Sequence, residues 1–138
     1  MIEEIVIAGF GGQGVLAAGE ILAIAGMRSG KNVAWMPEYG PATRGGTANC
    51  TVIISDEEIG STVVDAPSSI MVMNQPSLEK FLPRMQKEGL AIINGSLASL
   101  ELLPDARETA EAKRLTLVEV AAHTTAQNLG NLMAANLV

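Results

Sequence analysis

The stretch "EIVIAGFGGQGVLAAGEILAIAGM", residues 4–27, decides the fold class. It opens with a β-branched run, Glu4 to Gly9, closed by glycine, which reads as a buried strand. It closes with helix formers at helical length, Val15 to Met27. Between them "GFGGQG" places Gly9, Gly11 and Gly14 on the spacing G-x-G-x-x-G, the glycine fingerprint of a dinucleotide-binding turn. A strand, a glycine turn and a helix in that order begin an α/β fold.

The same alternation continues outward. "KNVAWM" (31–36) reads as a strand stopped by Pro37, and "EYGPATRGG" (38–46) as a loop. "TANCTVIIS" (47–55) is a strand, "DEEIG" (56–60) a turn and "SSIMVMN" (68–74) another strand. Pro76 opens a helix at a favourable first-turn position. Its apolar stripe is Leu78, Phe81, Leu82 and Met85, with Pro83 predicting a kink or an early end. "GLAIINGS" (89–96) and "RLTLVEV" (114–120) complete the strands, and the tail from Ala121 is helical with Gly130 as an interruption. Strands alternating with helices predict a three-layer α/β/α domain with a mixed, mostly parallel sheet of about six strands and a Rossmann-like first βαβ unit. The mixed character follows from Val52 to Asn74, where two strands leave little room for a crossover helix.

Composition sets further bounds. At 138 residues, one domain with its own core is expected. Hydrophobic residues are 48% and aromatics 3%, so the core is built from Val, Ile, Leu, Ala and Met. A formal net charge of −6 argues against a nucleic-acid or anionic-membrane surface. No apolar run is an obvious membrane span, since Glu20 and Arg28 interrupt the best one. The acidic start shows no signal peptide. The single cysteine, Cys50, cannot form an internal disulfide, which suits a cytoplasmic location. Nor can it hold an iron–sulfur cluster, which takes four thiolates.

Three readings of the first glycine loop stay open. It is a tight turn allowing close helix–strand packing, a site for a phosphate-bearing ligand, or, least favoured, a nicotinamide or flavin dinucleotide site. The last also asks for an acidic residue ending the second strand, where this chain has "AWMP", and Glu38 lies beyond the proline. Gly11, Gly12, Gln13 and Gly14 are the candidate anion contacts, through amides at a helix start. In the second glycine-rich segment, Arg44 is the sole cation, a planar fork suited to carboxylate or phosphate. The helix 15–27 is apolar nearly all the way round, so another helix or, preferably, a partner subunit covers its outer side. Ala18, Ile21 and Leu22 are the candidate interface. Cys50 reads as a buried inert thiol. His123 has no catalytic partner in view, Asp56 to Glu58 form a solvated turn, and no metal-ligand spacing occurs.

"GFGGQGVLAAGEILA" followed by "EYGPATRGGTANCTVIISDEEIG", with "MNQPSLEKFLP" and "GLAIINGS" beyond, resembles the gamma subunit of 2-oxoacid:ferredoxin oxidoreductases over nearly the whole chain. The resemblance implies one gamma-type domain over residues 1–138, with a truncated or partly disordered C-terminus left open because the chain stops at "NLMAANLV". It implies an accessory subunit of a complex that decarboxylates a 2-oxoacid, transfers the acyl group to coenzyme A and passes electrons to ferredoxin. Thiamine diphosphate and iron–sulfur clusters then belong to the alpha, beta and ferredoxin-like partner subunits, with no cofactor or metal on this chain. The isolated chain is expected to be inactive and prone to self-association.

Phe10 stands where the pyruvate branch has a basic residue, and "RGGTANCTVIIS" with "EIGS" is similar to the 2-oxoglutarate branch. The branched-chain oxoacid branch, the pyruvate branch and indolepyruvate oxidoreductase are alternatives within the class. A stand-alone nucleotide or coenzyme A binder is the alternative outside it. Glu38, Ala42 and Thr43 depart from the family loop, which leaves open any ligand held there.

Overall fold

A computed structural model describes residues 1–39 and 46–138. Six strands form one sheet in the order β2-β3-β1-β4-β5-β6. They are β1 (Ile2–Phe10), β2 (Asn32–Tyr39), β3 (Thr47–Ser55), β4 (Ser69–Val72), β5 (Leu90–Asn94) and β6 (Thr116–Val120). The helices are α1 (Val15–Arg28), α2 (Gln75–Phe81), α3 (Ala106–Ala112) and α4 (Ala122–Asn128). β1, β4, β5 and β6 are mutually parallel, whereas β3 runs antiparallel to both β1 and β2. The sheet is therefore mixed, as the short β3–β4 connection requires. The first βαβ unit has an unexpected form: β3 lies between its strands, so β1 and β2 are parallel but not neighbours.

Alternation along β1 assigns its residues to two cores. Val6 and Ala8 pack with Ile70, Val72 and Ile93 under α2. Ile5 and Ile7 face the other way with Cys50, Met71 and Val15 of α1. This gives the three layers. α2 starts at an Asn74 cap whose side chain accepts from the Ser77 amide at 3.0 Å. It ends at Phe81, and a 3₁₀ turn, Leu82–Arg84, carries the chain past Pro83. Lys113, just past α3, donates its ammonium to the carbonyls of Pro83 and Met85 at 2.5 and 2.6 Å, tying α3 to that turn.

One expectation needs correction. β2 does not stop at Pro37 but continues through it to Tyr39, with Pro37 opposite Cys50. β2 is an edge strand, and proline is tolerated where one side of the ladder has no neighbour. α3 lies in the stretch between β5 and β6 for which no element was predicted. Its buried residues are only Ala106 and Ala110, too small a stripe to stand out from a polar seven-residue segment.

α1 lies unusually close to β2 and β3. Its buried positions include Gly19, Ala23 and Gly26, spaced i, i+4 and i+7. A Cβ on Gly19 would overlap Cys50 Sγ and come within 3.0 Å of Trp35 Nε1. One on Gly26 would be 2.9 Å from Val33 Cγ2. The small residues face inward and the large ones outward: Ile21 is 54% and Met27 57% exposed. Helix propensity alone makes Gly19→Ala a gain of about 1 kcal/mol. The overlap with a fully buried sulfur should reverse the sign, giving a net loss of about 1–2 kcal/mol in urea unfolding.

At the opposite end of the sheet, Asp56 accepts from the Met1 amine at 3.1 Å and forms an ion pair with Lys31. The Lys31 hydrogen bond first, and then the amine, hold its carboxyl below the usual range. A carboxylate whose native pKa is lowered stabilises the fold above its unfolded pKa, and the effect is lost as pH falls through the native one. Thermal melts across the acid range should show Asp56→Asn flattening that limb while leaving neutral-pH unfolding cooperative.

Candidate functional site

The parallel neighbours β1 and β4 send their following helices to opposite faces, α1 to one and α2 to the other. Their carboxyl ends therefore flank a topological switch point, where open α/β sheets place their ligand crevice. The loop Gly11–Gly14 sits there, with Gly12 at φ 91° and Gly14 at φ 73°. Both are left-handed conformations that favour glycine.

In this chain Gln13 fills the crevice. Its side-chain oxygen accepts from the Phe10 amide at 2.7 Å and from the Asn74 side-chain amide at 3.5 Å. A Cβ on Gly9 would lie 2.5 Å from that oxygen and 2.9 Å from Met73 Cβ, so a glycine here leaves room for both the loop's own glutamine and the chain leaving β4. The Gly11 amide donates to the Gly46 carbonyl at 2.9 Å, which brings the end of the second glycine-rich segment beside the first. Arg44 lies outside the described residues. Asn136 donates to the Gly14 carbonyl at 3.0 Å, and its side chain fills the space a Cβ on Gly14 would need. The loop is thus held from four parts of the chain. Gly11 and Gly12 form its exposed shoulder.

The helix start behind it carries no acidic residue in the first turn and no side-chain cap. Electrostatically it remains receptive to an anion. The topology removes the ribose-binding carboxylate of a dinucleotide fold. Glu38 is in β2, paired with Asn49, and β3 separates β2 from β1. At about 4.8 Å per strand, β2 is about 10 Å from β1.

Ala18, Ile21 and Leu22 lie together on one side of α1. With Ala25 they form one wall of an apolar groove of about 440 Å³, whose floor is Ile5, Ile7, Met71 and Ile92 and whose end is Leu137. The groove exists because α1 leans toward β2 and β3 and leaves the sheet beyond β1 open. Cys50 is fully buried, and burial pushes its thiol pKa up despite hydrogen bonds from Trp35 and Gly19, so it is an inert core residue. His123 offers its backbone amide to Asn94 Oδ1 at 3.4 Å. Among the described residues no cluster of His, Cys, Asp and Glu is placed to hold a metal, and no helix is long and apolar enough to cross a membrane. Asn74, Asn94 and Asn136 went unnoticed in the sequence. Only Asn74 carried a signal there, as a helix cap two residues before Pro76.

A family model described as pyruvate ferredoxin/flavodoxin oxidoreductase matches residues 4–138. The chain belongs to the pyruvate ferredoxin/flavodoxin oxidoreductase family. Within that family it is 46% identical over 93 residues to ketoisovalerate oxidoreductase subunit VorA of Methanothermobacter thermautotrophicus, covering 67% of this chain but 20% of that protein. It is 31% identical to 2-oxoglutarate synthase subunit KorC of Methanothermobacter marburgensis, over 100% of this chain and 74% of that one. The keto/oxoacid ferredoxin oxidoreductase gamma subunit of Geobacter sulfurreducens superposes with a TM-score of 0.79 at 26% identity, covering 99% of this chain and 71% of that one. The chain thus spans about a fifth of the VorA relative and about three quarters of the KorC relative. The oxidoreductase-family domain is mixed α/β, as the sequence implied.

Two measurements check the site as described. Asn74→Ala removes both the α2 cap and the Gln13 contact and should cost about 1–2 kcal/mol of unfolding free energy. Cys50 should resist an aromatic disulfide reagent in the native protein and react fully in denaturant; rapid native labelling would contradict its burial.

Proposed function

We propose that this chain is the gamma subunit of a 2-oxoacid:ferredoxin oxidoreductase, a single domain over residues 1–138 working in the cytoplasm. The complex converts a 2-oxoacid, coenzyme A and oxidised ferredoxin to acyl-coenzyme A, carbon dioxide and reduced ferredoxin. The observation that carries this is the match to a solved gamma subunit over 99% of the chain, together with a helix α1 that turns its large side chains outward. The 2-oxoglutarate reading is favoured by the KorC alignment, which runs the length of the chain. The 46% identity to VorA supports a branched-chain 2-oxoacid as the second reading.

The chain's own residues are those of an accessory subunit. One fully buried cysteine does not fit an iron–sulfur cluster. In this reading thiamine diphosphate and the clusters reside on the alpha, beta and ferredoxin-like subunits, where they supply the decarboxylation chemistry and the electron path. The groove walled by Ala18, Ile21 and Leu22 receives one of the catalytic subunits, because apolar surface favours being covered by roughly 25 cal/mol per Å². The shoulder Gly11–Gly12, with Gln13 and Gly14 behind it and Arg44 in the neighbouring segment, contacts an anionic group such as a coenzyme A phosphate at the shared site.

Co-expression with the sister chains tests this directly. The complete complex should reduce a viologen dye with 2-oxoglutarate and coenzyme A in preference to 2-oxoisovalerate and pyruvate, and the isolated chain should turn over none of them. Turnover by the isolated chain would refute the accessory role; a preference for 2-oxoisovalerate would select the second reading. Ala18→Glu should abolish pull-down of the sister subunits while the domain stays folded. Arg44→Ala should spare assembly and raise the KM for coenzyme A. Calorimetry with NAD should show nothing as tight as low micromolar, about −8 kcal/mol.

A further inference from the structure

The outer side of α1 shares only Ile21 with the groove wall and carries its own pattern. Taking Ile24 as the centre and 100° per residue, Ala17, Glu20, Ile21, Met27 and Arg28 all fall within about 60° of it. The buried positions Val15, Gly19, Ala23 and Gly26 lie on the other side. Every residue of this outer stripe is exposed. Glu20 and Arg28 are the only charges in the helix, they are of opposite sign, and each is four residues from Ile24. Neither belongs to an ion pair among the described residues.

A surface whose charges are equal, opposite and equidistant from an apolar centre is complementary to itself under a two-fold rotation. We propose that α1 docks antiparallel against α1 of a second copy of this chain, with the two-fold axis at Ile24. Residues k before and k after Ile24 then come level across the interface. Glu20 meets Arg28 of the second copy, and Arg28 meets its Glu20. Ile21 comes level with Met27, twice, and Ile24 lies against itself. This is an isologous contact, in which the same patch serves both protomers. The inference does not require the gamma-subunit assignment, since it uses only the chain's own surface.

Analytical ultracentrifugation of the full chain across a wide concentration range tests it. The wild type should sediment as a reversible dimer. Glu20→Arg or Arg28→Glu alone sets like charges together at both symmetry-related contacts and should weaken the dimer about tenfold or more. The double reversal restores the pairing and should bring the dissociation constant back to within about threefold of wild type. Ile24→Glu should give a monomer, with circular dichroism confirming an unchanged fold. Ile24→Cys should cross-link to itself on mild oxidation, and the buried Cys50 gives little background. Three outcomes would overturn the proposal: a wild type monomeric at every concentration, a dimer indifferent to Ile24→Glu, or a double reversal as weak as the single ones. Loss of dimer in the Ala18→Glu groove variant with none in Ile24→Glu would place self-association in the groove and also overturn it. Failure of sister-subunit pull-down with an intact dimer would count against the gamma-subunit reading alone.

Discussion

The close approach of α1 to β2 and β3 is the constraint on which the rest of the molecule depends. Three small residues, Gly19, Ala23 and Gly26, let the helix settle until Gly19 touches Cys50 and Trp35 and Gly26 touches Val33 and Ile54. A helix one face of which is glycine and alanine contributes little apolar area of its own to the core. Its contribution comes instead from bringing its backbone down onto the side chains of the sheet. The cost is borne on the other side. Ile21, Ile24 and Met27 have nowhere to go but outward. The lean toward β3 also uncovers the sheet face at Met71 and Ile92, opening the groove. Both apolar surfaces thus follow from one packing choice.

The second organising feature is the crevice at the carboxyl ends of β1 and β4. In a fold that uses this place for a dinucleotide, the glycines make room for the pyrophosphate. Here Gly9 makes room for Gln13, and Gly14 makes room for Asn136. The same residue type at the same spacing serves internal closure. Gln13 joins the β1–α1 loop to the cap of α2, Gly11 joins it to the end of the second glycine-rich segment, and Asn136 joins it to the C-terminal turn. These segments come from residues near 10, 46, 74 and 136, so the loop acts as a joint for the whole upper end of the sheet.

Much of the architecture was legible because it rests on local signals. β3 matches its apolar run residue for residue, and α2 follows from Pro76 and the stripe at Leu78 and Phe81. The mixed sheet was legible from a connection too short for a helix. What was not legible depends on contacts far apart in sequence. Pro37 is harmless only because β2 is at the edge, and that is a property of strand order. The split of β1 and β2 by β3 is likewise invisible to a local reading, although it excludes dinucleotide geometry more decisively than the missing acidic residue does. The groove residues Ala18, Ile21 and Leu22 could be named as apolar surface from the absence of a polar stripe. Which side of α1 faces the sheet could not, because the usual rule that the largest apolar residues are buried fails when a helix packs through glycine. Asn136 reaches Gly14 across 122 residues of chain, and nothing in its neighbourhood announces the contact.

Tight internal closure and exposed apolar faces have a joint consequence for how the surface is presented. A domain whose loops were loose would lose part of any binding free energy in ordering them. Here the shoulder at Gly11 and Gly12 is held by bonds on both sides, at Gly46 and at Gln13, so its backbone geometry is set before any partner arrives. The groove lies at the other end of the same helix start, with Ala18 one turn beyond Gly14. The groove wall and the shoulder are therefore fixed relative to one another through a single rigid element, so any contact made at one is held in register with the other.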